Sequence, residues 1–521
     1  MRVRTLEILI LAIVYLGALW LWTLPFQENT LPYGEGDATS HFVVADTQSQ
    51  TDKPITTLPY YIDVRYGWDN KFRMHTLWYH PPYHMNFALL QILGGHRFLP
   101  VFFFNAILCT SMLFTVYFLV RRLFGFMPAI LSAILLIFSG RDYMVYLWGQ
   151  WPERISYALI PLILYCYFIY TESILENKQK PRYLYVLAFL LGVNFYVHPV
   201  GLFHTIAAIG LYSVVLLIKE RRLMFKWKHA GIAVFIFLVM AAMFPLQTAS
   251  VGIATVKEKA FEGNFMNLGR LFEWYPDAEQ FVGGVPVTYF SYAFNNGTWT
   301  IPFLLVGILA LALRRKRKDW LMLTWLISFY VMTHLDVIGK GRVHRSMAAE
   351  AHILYPLIAI GFTWLVSLIR LKRPLRTYLK VGASIAFIIV AIMINGKVAY
   401  SNLHNAYGGI SRLTEPQLNV ALWLKDNLGE FDKIEDFGTL TISKKRFIQY
   451  IGNRHIIKSN FKDDFDIPTH VMLDYSDLAV LQQIPEYRQQ IEGMLQIEAQ
   501  LENMTLQYDK ENIKVYKLEA S

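Results

Sequence analysis

Two carboxylates follow the first apolar stretch of the chain, and glycines flank them. Glu35 and Asp37 lie in the run from Leu31 to His41, which reads Leu-Pro-Tyr-Gly-Glu-Gly-Asp-Ala-Thr-Ser-His. A carboxylate can take a proton from a reacting group, and it can also coordinate a hard metal cation. At a membrane face, this pair predicts general-base or metal chemistry on a lipid-linked substrate.

Three basic side chains lie close together further along, at Lys340, Arg342 and Arg345. Positive charge is normally kept in the inner loops of a membrane protein, whereas this segment falls in an outer loop of the topology given below. Arginine binds phosphate through a planar fork of N–H donors. The three residues are therefore candidate phosphate ligands, and a solvated run of charge is the alternative.

The composition is that of a multi-pass membrane protein. Of the 521 residues, 55% are hydrophobic and 17% are charged, below the roughly 25% charged residues of soluble domains. The net charge of +10 lies largely in short loops between apolar runs, which indicates membrane lipids rather than nucleic acid as partners. Protein partners cannot be inferred. Cys109 and Cys166 lie inside apolar runs and predict no disulfide.

About eleven apolar runs are candidate membrane helices. They lie near residues 6–26, 100–120, 126–140, 154–171, 184–199, 201–218, 230–247, 300–313, 320–336, 350–369 and 380–396. With the N-terminus inside, every other loop carries a basic cluster, as the positive-inside rule requires. We therefore predict a multi-pass protein of the cell membrane with a cytoplasmic N-terminus and an extracytoplasmic C-terminal domain.

This topology divides the chain into two domains. Residues 1–396 form an α-helical transmembrane domain with a long first loop (27–99), a short second loop (141–153) and a further outer loop (248–299). Residues 397–521 are expected to form an α/β domain.

Three patterns in the tail support the α/β prediction. Gln417–Asn427 has helical spacing, and His470–Asp474 is typical of a buried strand. Met504–Tyr508 and Ile513–Leu518 flank a polar turn and predict a hairpin. In the first loop, Met85–Leu93 is apolar but too short to span, so it is expected along the membrane interface.

Four of these features together resemble the GT-C class of membrane glycosyltransferases, which includes oligosaccharyltransferase catalytic subunits, protein O-mannosyltransferases and aminoarabinose transferases of lipid A. They are the acidic motif Glu35-Gly-Asp37, the segment Tyr79-His-Pro-Pro-Tyr83, the run Arg121-Arg-Leu-Phe-Gly125, and an outer domain whose last hairpin spans Leu506 to Leu518. The first motif has Glu where the family has Asp. The Trp-Trp-Asp motif of oligosaccharyltransferases is not evident in the tail, so N-glycosylation is not predicted.

The resemblance implies transfer of a sugar from a polyprenyl-phosphate donor to a lipid, glycan or protein acceptor on the outer face. It implies that Asp37 takes the acceptor proton, with Glu35 as a second catalytic candidate. Capping of a helix that begins at Ala38 is the alternative role of Asp37.

Some GT-C members place metal-binding acids in the second loop. Asp142 and Glu153 are therefore expected to join Asp37 around Mg²⁺ or Mn²⁺. Pairing with Arg141, or helix capping, is the alternative for Asp142. Aromatic side chains of this loop could stack on a sugar or anchor the chain at the interface. The candidate substrate-binding residues are His41, Tyr79, His80, Arg141, Trp151, Arg154, His198, Lys340, Arg342 and Arg345.

Two other functions remain open at this point. A transporter or flippase for a lipid-linked glycan tends to show repeated halves, and the sequence shows no repeat. A non-catalytic membrane scaffold that displays the outer domain would not require acids in short loops. Glu35, Asp37 and Asp142 around one cavity would favour an enzyme.

Overall fold

The computed structural model describes residues 2–34, 37–50, 81–245, 269, 271, 281–282, 285–286, 296–334, 351–369, 372–405, 412–457, 467–481 and 485–518. Helices dominate up to residue 405. In chain order they are α1 Arg2–Trp22, α2 Ala38–Gln50, α3 Pro81–Gly94, α4 Leu99–Phe124, α5 Phe126–Ile137, α6 Gly140–Leu147, α7 Trp151–Leu175, α8 Arg182–Val197, α9 Pro199–Glu220, α10 Trp227–Ala242, α11 Ile301–Arg314, α12 Arg317–His334, α13 Leu354–Leu368, α14 Arg373–Ala391 and α15 Lys397–His404.

Short elements join these helices. A 3₁₀ turn at Leu24–Phe26 follows α1, and 3₁₀ turns at Thr298–Thr300 and Ala351–Ile353 precede α11 and α13. The strands β1 Phe281–Val282 and β2 Val285–Pro286 pair antiparallel.

The structure places a helix at each predicted apolar run. Within the described residues, five helices are long and apolar enough to cross a membrane, or six if the bent pair α5 and α6 is one span. The number of crossings therefore stays a prediction. The last predicted run is longer than expected, because the π-helical turn Ile392–Gly396 continues α14 into α15.

The predicted break at His198 is present between α8 and α9. His198 adopts an extended conformation, and its side chain accepts a hydrogen bond from the N–H of Val200. Pro199, the first residue of α9, has no N–H to continue the α8 ladder. His198, a candidate substrate-binding residue, thus caps a helix.

Small residues let two apolar helices approach closely. A Cβ atom at Gly307 on α11 would overlap the carbonyl oxygen of Leu357, and one at Gly361 on α13 would overlap that of Phe303. In lipid, the hydrophobic effect does not bring helices together, so such close packing supplies much of the free energy of helix association. The α11–α13 contact therefore depends on both glycines.

Ion pairs tie together the helix ends that carry the basic clusters. Arg121 on α4 donates from Nε and Nη2 to the two carboxylate oxygens of Glu7 on α1, at 2.6 and 2.9 Å. Arg317 on α12 pairs with Glu172 on α7 at 3.4 Å and Glu220 on α9 at 3.1 Å. The basic residues from which the orientation in the membrane is predicted therefore also link neighbouring helices.

The tail folds around a five-stranded sheet. Its elements are α16 Glu415–Asn427, β3 Lys433–Phe437, α17 Ile442–Gly452, β4 His455–Ile457, β5 His470–Asp474, α18 Ser476–Leu481, α19 Pro485–Gln500, β6 Thr505–Lys510 and β7 Ile513–Lys517. The strand order is β4-β3-β5-β7-β6. Strands β4, β3 and β5 are parallel, and β7 runs antiparallel to both neighbours. The predicted helix, buried strand and final hairpin are all present.

The predicted topology can be tested with single cysteines, because both native cysteines are buried. Lys180 in the α7–α8 loop and Lys510 at the end of β6 are exposed. We expect Lys510→Cys in intact cells to react with an impermeant maleimide and Lys180→Cys to react only after permeabilisation. Equal labelling of both positions in intact cells would show that the predicted orientation is wrong.

Candidate active site

Asp37 lies where the first and second loops touch. Its N–H donates to the carbonyl oxygen of Trp148 at 3.2 Å, and its own carbonyl oxygen accepts from the N–H groups of Ser40 and His41, both at 3.0 Å. Helix α2 begins at the next residue, and its first ten residues are buried. Asp37 as a residue is partly exposed. It directly precedes the helix, as its alternative role requires, and it is less buried than the helix residues that follow it.

Two glycines allow this close contact of loops. Gly149 has a φ of +78°, and a Cβ atom there would overlap the backbone N and Cα of Ala38. Gly34 has a φ of +123°, and a Cβ atom would lie 2.6 Å from the Cβ of Ala38. L-residues rarely adopt such φ values. Both the backbone conformation and the available space therefore demand glycine beside Asp37.

Asp142 is at the centre of a buried polar group. Its Oδ1 pairs with Nη1 of Arg154 on α7 and lies 3.0 Å from Nε2 of His352. Asp142 and Arg154 are each 2% exposed, and His352 is fully buried. Ser139 caps α6 by accepting from the N–H of Asp142 at 3.3 Å, and the hydroxyl of Tyr355 donates to Ser139.

Arg154 is itself held by two further contacts. Its Nη2 donates to the carbonyl oxygen of Cys109 at 3.2 Å, and its guanidinium lies 4.5 Å from the ring centroid of Trp22. Asp142 is thus paired with an arginine, as the alternative for it proposed, although the partner is Arg154 and not its neighbour Arg141. The pair joins α4, α6, α7 and the turn before α13.

A pair of histidines lies one turn into α2. Nδ1 of His41 is 3.0 Å from Nε2 of His84 on α3, and both residues are 1% exposed. Burial, and then the neighbouring His41, hold the pKa of His84 well below its usual range. His84 is therefore neutral at physiological pH, and the pair ties α3 to the helix that Asp37 begins.

Trp151 packs beneath these histidines. Its Nε1 donates to the carbonyl oxygen of Tyr146 at 2.8 Å, and its ring lies edge-on to Phe102 at 5.6 Å. Arg141 is also fully buried, with its guanidinium 5.8 Å from the ring centroid of Trp148. Contacts of Trp151, Arg141, Arg154 and His41 with a substrate stay predictions.

The described residues do not provide the predicted metal set. Among them, His, Cys, Asp and Glu side chains form no group of three that could hold a metal ion. The charge of Asp142 is already balanced by Arg154, and Glu153 accepts a hydrogen bond from the hydroxyl of Tyr157. The role proposed for Asp37 therefore does not include holding Mg²⁺ or Mn²⁺.

Six of the sequence candidates cannot be placed. Glu35, Tyr79, His80, Lys340, Arg342 and Arg345 lie outside the described residues. Conversely, the structure adds His84, Tyr33, Tyr146 and Arg412 to the contacts that the first loop makes. His84 directly follows the segment Tyr79–Tyr83, whereas nothing in the sequence marks Arg412.

The contact between the loops can be tested through Gly149. We expect Gly149→Ala to lose about 1–2 kcal/mol from the left-handed conformation and about 1–3 kcal/mol more from the overlap with Ala38. Gly95, with a φ of +61° and nothing within 4 Å of an added Cβ, is the matched control. Thermal unfolding in detergent should show a clearly larger fall in Tm for Gly149→Ala than for Gly95→Ala. Equal shifts would contradict the close approach.

Known proteins share this architecture. Residues 80–244 match the family model described as dolichyl-phosphate-mannose-protein mannosyltransferase. A search of curated protein sequences gives no match.

Solved structures match over nearly the whole chain. The archaeal oligosaccharyltransferase AglB from Archaeoglobus fulgidus, in complex with an inhibitory peptide and a dolichol-phosphate, is 12% identical with a TM-score of 0.57, over 91% of this chain and 70% of that chain. ArnT from Cupriavidus metallidurans in the apo state is 12% identical with a TM-score of 0.57, over 99% of this chain and 98% of that chain. ArnT bound to undecaprenyl phosphate is 11% identical with a TM-score of 0.55, over 98% of this chain and 97% of that chain. The predicted resemblance is confirmed: this chain is similar to GT-C glycosyltransferases in its fold and, over residues 80–244, in its sequence.

Proposed function

We propose that the protein transfers a sugar from a polyprenyl-phosphate donor to an acceptor at the membrane face where the first and second loops meet. The observation that carries this proposal is the placement of Asp37, a partly exposed residue whose backbone N–H is bonded to a buried, ion-paired second loop. AglB is recorded with a dolichol-phosphate and ArnT with undecaprenyl phosphate, and both support a carrier of this chemical class.

Asp37 is the proposed general base. The acceptor hydroxyl or amide gives its proton to the carboxylate as its oxygen or nitrogen attacks the anomeric carbon of the sugar. The bond between that carbon and the phosphate oxygen breaks, and the lipid phosphate leaves with the electron pair. Because the backbone of Asp37 is bonded at both its N–H and its carbonyl oxygen, the backbone that carries the carboxylate is fixed before substrate binds.

Asp142 has a different proposed role. Its Oδ1 already faces Arg154 and His352, and the loss of Arg154 would leave a buried charge without compensation. We therefore assign Asp142 to holding the second loop in place and not to proton transfer. Lys340, Arg342 and Arg345 remain the proposed ligands of the donor phosphate.

The function can be tested with purified protein and a panel of radiolabelled polyprenyl-phosphate sugars. Lipid, glycan and protein fractions serve as acceptors. Label in an acceptor, or release of sugar from at least one donor, is expected. Movement of intact donor across vesicles without cleavage of any donor would indicate the flippase, and neither outcome would indicate the scaffold.

Asp37→Asn keeps the size of the side chain and much of its capping ability but removes its basicity. We expect activity to fall by about 10²–10⁴-fold with little change in Tm. Asp46→Asn on α2, the helix that follows Asp37, is the control, because Asp46 forms a salt bridge with Arg97 at 2.6 Å. It should lower Tm and leave kcat close to that of the unmodified protein. An active Asp37→Asn variant would exclude Asp37 as the base.

The phosphate site can be tested through Arg342 and Arg345. A charge-assisted hydrogen bond contributes roughly 1.5–3 kcal/mol, so Arg342→Ala and Arg345→Ala should each weaken donor binding by about tenfold or more. Lysine at either position should restore part of the affinity, since it lacks the bidentate fork. Titrations of donor at fixed acceptor measure the effect. Unchanged donor affinity in the double alanine variant would leave this segment as a solvated run of charge.

A further inference from the structure

Arg412 lies in the segment between α15 and α16 and contacts the first loop. Its Nη1 donates to the carbonyl oxygens of Asn29 at 2.8 Å and Leu31 at 3.3 Å, and its Nη2 donates to that of Pro25. The next residue, Leu413, donates its N–H to the carbonyl oxygen of Pro32 at 2.9 Å. One arginine therefore binds three carbonyl groups of the chain that leads to Asp37.

The same guanidinium reaches the second loop through Tyr33. It lies 5.2 Å from the centroid of the Tyr33 ring, and the hydroxyl of Tyr33 donates to the hydroxyl of Tyr146 on α6 at 2.6 Å. Tyr33 is 1% exposed and stacks on Phe102 at 4.8 Å. Burial raises the pKa of Tyr33, so the hydroxyl keeps the proton that it donates.

From Tyr33 the contacts continue to Asp37. Gly34 packs against Ala38 and lies close to the carbonyl oxygen of Leu147, and Asp37 bonds to Trp148. We propose that Arg412 is a positioning residue for Asp37: it clamps the first loop against the second loop, so that the segment entering the C-terminal sheet holds the base in place. The catalytic part of this inference rests on the proposed function, whereas its structural part does not.

Further contacts between the same parts of the chain support the clamp. The ring of Phe447 on α17 lies 6.0 Å from that of Phe42 on α2. Asn402 on α15 donates to the hydroxyl of Tyr143 on α6 at 3.3 Å. The tail thus touches both loops, and Arg412 adds a charged contact to the first of them.

A matched control is available in the tail. Like the half-buried Arg412, the buried Arg454 donates to three carbonyl groups, those of Leu428, Asn453 and Lys425. These carbonyls lie at the end of α16 and just after α17, away from the first loop. Arg454→Ala should weaken the tail as Arg412→Ala does, but it should leave the first loop intact.

Hydrogen exchange and kinetics then distinguish a clamp from general stabilisation. In Arg412→Ala, we expect amide exchange in peptides covering residues 28–41 to speed up by about tenfold or more. We also expect kcat to fall by about tenfold or more while the donor KM stays within about threefold. Arg412→Lys should restore part of both, and Arg454→Ala should change neither. Unchanged exchange in residues 28–41 of Arg412→Ala overturns the proposal.

Two features keep the test decisive. If Arg412→Ala does not fold, Arg412→Lys and Tyr33→Phe replace it: faster exchange in residues 28–41 supports the clamp, and exchange as in the unmodified protein in both variants overturns it. If the unmodified protein transfers no sugar, the proposed function fails while the exchange measurement still decides the clamp. Faster exchange with an unchanged kcat shows that the clamp does not position the base.

Discussion

The helix ends around the second loop depend on the ion pair between Asp142 and Arg154. Taking each charge out of water costs several kcal/mol, which is offset only when the partner and further hydrogen bonds are in place. Here the further bonds come from His352 and from the carbonyl oxygen of Cys109. Satisfying the pair therefore fixes α4, α6, α7 and the turn before α13 relative to one another. Loss of one partner is expected to cost about 3–5 kcal/mol, so the second loop is a rigid support.

The first loop packs on the second loop, and its residues 27–34 form no helix or strand. It is held by the backbone bond between Asp37 and Trp148, by the absence of a side chain at Gly149, and by the carbonyl groups bound to Arg412. Asp37, a partly exposed residue, is thereby attached to a fixed backbone, as the proposed general base requires. Buried residues such as Trp151 and His41 contribute by packing and hydrogen bonding under the loop.

Charge is used differently at the opposite helix ends. There Arg121 and Arg317 pair with glutamates on neighbouring helices at side chains that remain partly exposed. Water and salt screen such pairs, so each contributes little stability, typically about 0–1 kcal/mol. By comparison, the stability contributed by the buried pair of Asp142 and Arg154 depends strongly on the positions of the two side chains. A few buried contacts therefore set the geometry near Asp37, whereas the partly exposed pairs at the basic ends each contribute little stability.

The sequence by itself determined the helices of the apolar runs, part of the tail and the GT-C resemblance. Apolar runs located those helices, a run typical of a buried strand located β5, a polar turn between two strand-like segments located the final hairpin, and the glycine-flanked acids marked the start of α2. The other strands and helices of the tail were not predicted. These signals are local, because burial of a face imposes a period on neighbouring residues. The partners of the charged groups were not determined in this way. Asp142 pairs with Arg154 and bonds to His352, which is 210 residues away in the sequence. Arg412 binds carbonyl groups more than 380 residues away. Tertiary structure decided these contacts, because a buried charge is satisfied by whichever partner packing brings within reach, and the periodicity of a sequence carries no record of that distance.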